Sequence, residues 1–281
     1  MSGTAPDPTT PDDRGSRNLL LRIGAAAVLI PLAIAAAWAG GWVWFVVVVL
    51  VAAGLFVEWM MIVGAVRPLP MAAGLIGLGL AGLALMLGRF DLMVGILVAG
   101  LVATALVSRE LRGWTTPGVL YAATALLAAL ALRRDETYGF TALMFVLVVV
   151  WVTDIGGYVA GRGIGGPKLW PRVSPKKTWA GALGGFGASL VVAAGFALGG
   201  AGRMLPLLLL GAGLTIASQL GDLFESAVKR RFGVKDSSQI IPGHGGLLDR
   251  LDGFVFAVAL AAAIGLVRGG GDGVGRGLMV W

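Results

Sequence analysis

Long apolar runs alternate with short polar breaks along this chain. Taking roughly 17–25 mainly apolar residues as enough to cross a bilayer, spans fall at about 19–39, 41–63, 69–88, 91–108, 117–132, 139–160, 179–200, 203–222 and 253–268. The fifth and ninth are short and could be tilted or partial crossings. No heptad seam, internal repeat or separate soluble domain interrupts the pattern. The predicted fold is an all-α polytopic integral membrane protein of about nine transmembrane helices. Two long polar loops, 161–178 and 223–252, stand out against it. The expected organisation is a disordered polar tail (1–18), N-terminal membrane helices (19–138), a region carrying both loops (139–268) and a C-terminal tail (269–281). The first apolar run resembles an export signal, but it is long enough to span and follows a partly acidic tail, so it is read as a retained helix.

Charge supports the count. With nine spans, sixteen of the 22 Lys and Arg residues share the side of the N-terminus and both long loops. Lysine and arginine accumulate in cytoplasmic loops, which predicts a cell-membrane protein with its N-terminus and both loops in the cytoplasm.

Composition narrows the chemistry. At 57% apolar and 13% charged, the chain is neither disordered nor an ordinary soluble protein. The absence of cysteine excludes disulfides, thiolate catalysis and cysteine-ligated metals. A single histidine, His244, excludes a cluster of imidazoles. The net charge of +7 is read as a record of orientation and anionic headgroup contact, not nucleic-acid binding. Glycines such as Gly74, Gly77, Gly79, Gly82, Gly181, Gly184 and Gly185 are read as close helix packing in lipid.

The first loop contains Gly161, Gly163 and Gly166 in a GxGxxG pattern, but it follows a membrane helix and lacks a βαβ unit. A Walker A loop fails as well, because Pro167 interrupts the Gly–Lys pair. What remains is Ser174, Lys176, Lys177 and Thr178 beside a glycine-rich turn, which could cradle polyphosphate or touch anionic lipid. Just upstream, Asp154 and Tyr158 share a helix face at i, i+4 spacing. An acid within an apolar helix points to a site, though capping or pairing with Arg162 is the alternative.

The second loop is richer. Ser218, Asp222, Ser226 and Lys229 share one helix face, and Asp249 and Asp252 share another. Asp222 and Asp249 could face each other across the loop, where paired carboxylates suit Mg²⁺. Pairing with Arg230 or Arg250 is the alternative. His244, between Gly243 and Gly245, is either structural or a substrate contact.

Together, Ser226-x-Val228-Lys229-Arg230, Lys235-Asp236, His244-Gly245-Gly246 and Asp249-Arg250-Leu251-Asp252 resemble the signature of the phosphatidate cytidylyltransferase family, or CDP-diacylglycerol synthases. Gln219-x-Gly221-Asp222-Leu223, Asp154-x-x-x-Tyr158 and Ser174-Pro175-Lys176-Lys177-Thr178-Trp179 resemble further family elements. The likeness covers residues 140–268, while the first half matches only in hydropathy. Ala180 departs from the pattern, since similar proteins carry Glu or Gln there.

The resemblance implies that CTP and phosphatidate give CDP-diacylglycerol and pyrophosphate, with 139–268 as the catalytic region. Asp222, Asp249, Lys229 and Ser226 are the expected catalytic residues. Mg²⁺, one or two ions, is expected on Asp222 and Asp249, with Asp252 and Asp154 as further candidates. Substrate contacts are expected from Tyr158, Ser174, Lys176, Lys177, Thr178, Arg230, Lys235, Asp236, His244, Gly245, Gly246 and Arg250. The expected partners are CTP, phosphatidate, the bilayer and a second copy of the chain as a homodimer, with no nucleic acid. Two rivals are a CTP-using enzyme acting on another lipid and a transporter. A transporter predicts midplane charges and repeated halves, whereas these charges gather at one side.

Overall fold

The computed structural model describes residues 27–28, 30–238 and 245–281. The N-terminal tail, the start of the first span and His244 lie outside the described residues. The first described helix is α1, Ile30–Ala39. It is followed by α2 (Gly41–Ile62), α3 (Pro68–Met86), α4 (Phe90–Ser108), α5 (Arg112–Arg134) and α6 (Gly139–Gly163). A hairpin of β1 (Lys168–Trp170) and β2 (Ser174–Thr178) leads to α7 (Trp179–Leu198), α8 (Met204–Arg231), α9 (Leu248–Gly269) and short α10 (Val274–Met279). Among the described residues, eight helices, α2 to α9, are long and apolar enough to cross a membrane. This is a multi-pass all-α protein, as predicted. Helices suit lipid because they satisfy their own backbone polar groups.

Contacts at the helix ends reproduce the predicted alternation. At one end, Trp59 of α2 donates from its indole nitrogen to the Trp114 carbonyl of α5 at 2.8 Å. Trp114 meets Phe232, just beyond α8, edge to face. The ends of α2, α5 and α8 therefore meet there, and the hairpin joins them through Lys177 and Asp222. At the other end, Arg133 donates to the carbonyls of Ala37 and Trp38 and so caps the end of α1. Arg134 pairs with Asp272 beyond α9. A polar cavity of about 890 Å³ at this second end includes Asp135, Arg268 and Arg276 in its lining. Its charges have structural duties: the Asp135 carboxylate accepts from the backbone of Thr137, Tyr138 and Arg276, and Arg268 donates to the Gly277 and Val280 carbonyls.

Small residues set the spacing near the first end. A Cβ on Gly184 would collide with Ala160, and one on Gly185 would stand 2.6 Å from the Thr153 carbonyl, so α6 and α7 pack backbone to backbone. Gly77 and Gly100 do the same for α3 and α4. Gly79 meets nothing, so packing does not explain it.

Several boundaries differ from expectation. The fifth and ninth spans are full-length helices of 23 and 22 residues. Helix α8 runs on to Arg231 and α9 begins at Leu248, so the second loop shrinks and most of its charged residues are helical. Hydropathy ends a helix where polarity begins, but backbone hydrogen bonding continues through polar residues such as Glu225 and Lys229. In the first loop a hairpin follows the glycine turn at Gly165 and Gly166. The expected C-terminal tail contains α10, whose Val274, Leu278 and Met279 are buried.

Candidate active site

The hairpin and the ends of α6, α8 and α9 on its side of the bundle converge on two groups of charge. In the first, Asp154 of α6, Asp222 of α8 and Asp252 of α9 lie within electrostatic reach of one another, with Lys177 and Arg250 nearby. The Lys177 ammonium forms an ion pair with Asp222. Ser226, one turn along α8, reaches Asp222 at 3.5 Å. Gly221 and Gly253 permit this arrangement. A Cβ at Gly221 would strike the Asp252 carbonyl, and one at Gly253 would stand 2.5 Å from the Ser218 hydroxyl oxygen. The two backbones therefore run in contact beside the two aspartates.

The second group is centred on Lys229. Its ammonium lies 2.7 Å from Glu225 and 2.6 Å from Asp249, and all three side chains are nearly excluded from solvent. Asp249 also accepts from the backbone of Ser237 at 3.1 Å and of Gly246 at 2.8 Å, and the Ser237 hydroxyl oxygen lies 3.0 Å away. Asp222 and Asp249 thus have different partners here: Lys177 holds one, while Lys229, Ser237 and Gly246 hold the other. The acids nearest in charge to Asp222 are Asp154 and Asp252. Oxygen donors of this kind fit a hard divalent cation. Among the described residues, no three acidic or histidine side chains close into a ready cage.

The remaining predicted residues surround these groups. Lys176 is exposed and Ser174 half-buried on β2. Thr178 is buried and caps α7, its hydroxyl accepting from the Gly181 backbone at 3.1 Å. Tyr158 is exposed and accepts from Arg162 at 2.7 Å, so Arg162 pairs with the tyrosine and not with Asp154. Arg230 donates to the Val234 carbonyl at 3.1 Å, and Lys235, Asp236 and Arg250 are exposed. Gly245 has φ +80°, a left-handed backbone that favours glycine. Gly246 is buried where a Cβ would collide with Ser237 and Glu58.

Sequence reasoning missed three participants. Glu225 stands four residues before Lys229, a spacing that brings such pairs together on a helix. Tyr121 of α5 is buried, and its hydroxyl lacks a partner among the described residues while Asp252, Glu225 and Asp222 stand within electrostatic reach. Its ring belongs to an aromatic cluster with Trp59 and Phe224, which also meets Phe256. The third, Glu58, is an acid inside an apolar span, which is the signal that marked Asp154.

Residues 20–267 match the model of the cytidylyltransferase family. The chain belongs to that family. It is 43% identical over 259 residues to the phosphatidate cytidylyltransferase of Brucella suis biovar 1, across 89% of this chain and 94% of that protein. The phosphatidate cytidylyltransferase of Bacillus subtilis is 42% identical over 151 residues, 52% of this chain and 55% of the relative. That of Staphylococcus aureus strain COL is 45% identical over 129 residues, 45% of this chain and 50% of the relative. The Brucella likeness extends into the first half, where the sequence analysis matched hydropathy alone. The chain is accordingly a multi-pass membrane enzyme of the cytidylyltransferase family.

Proposed function

We propose that this enzyme transfers the cytidylyl group of CTP to phosphatidate, forming CDP-diacylglycerol and pyrophosphate for phospholipid synthesis at the cytoplasmic face of the cell membrane. The observation that carries the reading is the convergence of Asp154, Asp222 and Asp252 from three helices, with Lys177 on Asp222, at the end of the bundle bearing the hairpin. A phosphate oxygen of phosphatidate bonds to the α-phosphorus of CTP. The bond from that phosphorus to the α,β-bridging oxygen breaks, and pyrophosphate leaves. The nucleophile belongs to the lipid, so no protein Ser, Cys or His nucleophile is required.

The protein must instead hold two polyanions together and neutralise the charge that develops. Lys177 is placed to leave Asp222 for a triphosphate oxygen. Lys176, Arg230, Lys235 and Arg250 line the aqueous rim and suit the outer phosphates. Lys229, held by Glu225 and Asp249, offers a fixed positive centre, and Ser226 and Ser174 supply hydroxyl donors. Mg²⁺ would be held by Asp222 with Asp252 and Asp154, and by Asp249 if it parts from Lys229, and would supply charge neutralisation at the phosphates.

Purified enzyme in detergent, given labelled CTP, dioleoyl phosphatidate and Mg²⁺, is expected to form labelled CDP-diacylglycerol. Formation is expected to stop when EDTA replaces Mg²⁺. Isoprenoid phosphate or an ether-lipid phosphate in place of phosphatidate is expected to be a poor acceptor. A folded preparation that labels one of those acceptors and not phosphatidate would overturn the assignment.

A further inference from the structure

Glu58 lies on α2 with no solvent exposure, in a part of the chain the active-site signature does not reach. Its carboxylate accepts four hydrogen bonds. One oxygen takes the Ser238 hydroxyl at 2.6 Å and the Leu247 backbone N–H at 2.8 Å. The other takes the Ser237 hydroxyl at 2.8 Å and the Leu248 N–H at 2.7 Å. These donors lie on either side of positions 239–244, so one side chain ties both flanks of the segment to α2. Leu247 precedes and Leu248 begins α9, where the first N–H groups lack partners within the helix. No local side chain caps them. The carboxylate from α2 does so, with the sign the helix dipole favours at an N-terminus.

We infer that Glu58 is a positioning residue for the cytidylyl-transfer site, acting through Ser237 and the start of α9 to hold Asp249 against Lys229. The link is short. The Ser237 hydroxyl lies 2.8 Å from Glu58 and 3.0 Å from Asp249, so it stands between the two carboxylates. Asp249 is one residue beyond the capped Leu248. Gly246 completes the clamp, because a Cβ there would occupy the space of Ser237 and Glu58. A buried acid filled by four donors is over-determined for simple packing. Outer contacts of this kind set the geometry of the groups that meet substrate. The inference rests on the proposed role of Asp249 and Lys229.

Glu58→Gln keeps the volume but replaces an acceptor oxygen with an NH₂ donor that faces existing donors. The test measures turnover and melting temperature for Glu58→Gln, Ser237→Ala, their double variant, and Leu55→Ala, a buried apolar neighbour on α2. Glu58→Gln is expected to lower kcat about 10–100-fold, the scale of lost outer contacts, with a smaller change in KM for phosphatidate. The double variant should be little worse than Glu58→Gln, because residues acting as one unit are not additive. Leu55→Ala should lose melting temperature while keeping most of its kcat. Wild-type kcat in Glu58→Gln, independent losses that multiply, or an equal kcat loss in Leu55→Ala would each overturn the inference. If Glu58→Gln does not fold, Ser238→Ala removes one donor and leaves the carboxylate; a lowered kcat supports the clamp and an unchanged one overturns it. Asp249→Asn assayed alongside separates the two readings. Full activity there removes the site assignment, and an inactive Asp249→Asn beside a fully active Glu58→Gln removes only the clamp.

Discussion

At Lys229 one ammonium is shared by two acids, on a side chain that is 11% exposed, against 11% for Asp249 and 2% for Glu225. Removing the cation from so dry a group leaves two carboxylates facing each other. Lys229→Met is therefore expected to cost about 3–5 kcal/mol of stability, the scale for breaking a buried pair, and to abolish turnover. Lys177 differs, because its pair with Asp222 is 26% and 34% exposed. Lys177→Met should cost no more than about 1 kcal/mol yet lower kcat about 100-fold or more by deleting a cation at the phosphates. Denaturation midpoints and turnover measured on both variants check the contrast. A Lys177→Met enzyme that is destabilised but fully active would remove that lysine from the chemistry. Much of this was legible beforehand: the spacing of Asp222, Ser226 and Lys229 placed them on one face. The choice of partners was not, because Asp249 lies twenty residues from Lys229 and pairs with it only when α9 packs on α8.

Helix α8 contacts α9 most closely where glycine stands opposite backbone. Gly221→Ala would press a methyl group onto the Asp252 carbonyl. Strain of about 1–3 kcal/mol is expected, with a marked fall in turnover because Asp222 and Asp252 move apart. Gly213→Ala, on the same helix, meets only Leu260 at 3.6 Å and should behave like wild type. Melting temperature and turnover of the two variants test whether contact at Gly221 sets the spacing of the acids. Hydropathy located the eight long apolar helices α2 to α9 but could not tell that α8 continues nine residues into a nominal loop, or that 168–178 folds into a hairpin. Polar residues at a membrane surface satisfy their hydrogen bonds with water, with one another or with a helix alike. Only the observed pairing of Lys168 with Thr178 and Trp170 with Ser174 decides among these.

Over the whole molecule, the alternation of ends seen in the structure agrees with the positive-inside count. Because the chain contains no cysteine, single introduced cysteines report without background. Arg172→Cys in the hairpin is expected to react with an impermeant maleimide only after the membrane is opened. Glu136→Cys, between α5 and α6, should react in intact cells. The reverse pattern would turn the enzyme over and place the site away from CTP.

What the sequence by itself determined was the eight long apolar helices, the clustering of charge at one end and the identity of most charged groups there. These follow from hydropathy, from charge asymmetry and from local helical spacing, all of which act within a few residues. Tertiary structure alone decided which acid meets which cation and that Glu58 of α2 bonds Ser237, Ser238 and the start of α9. Hydrogen bonds across about 180 residues of chain depend on how helices pack, and one buried carboxylate leaves no periodic trace in the sequence.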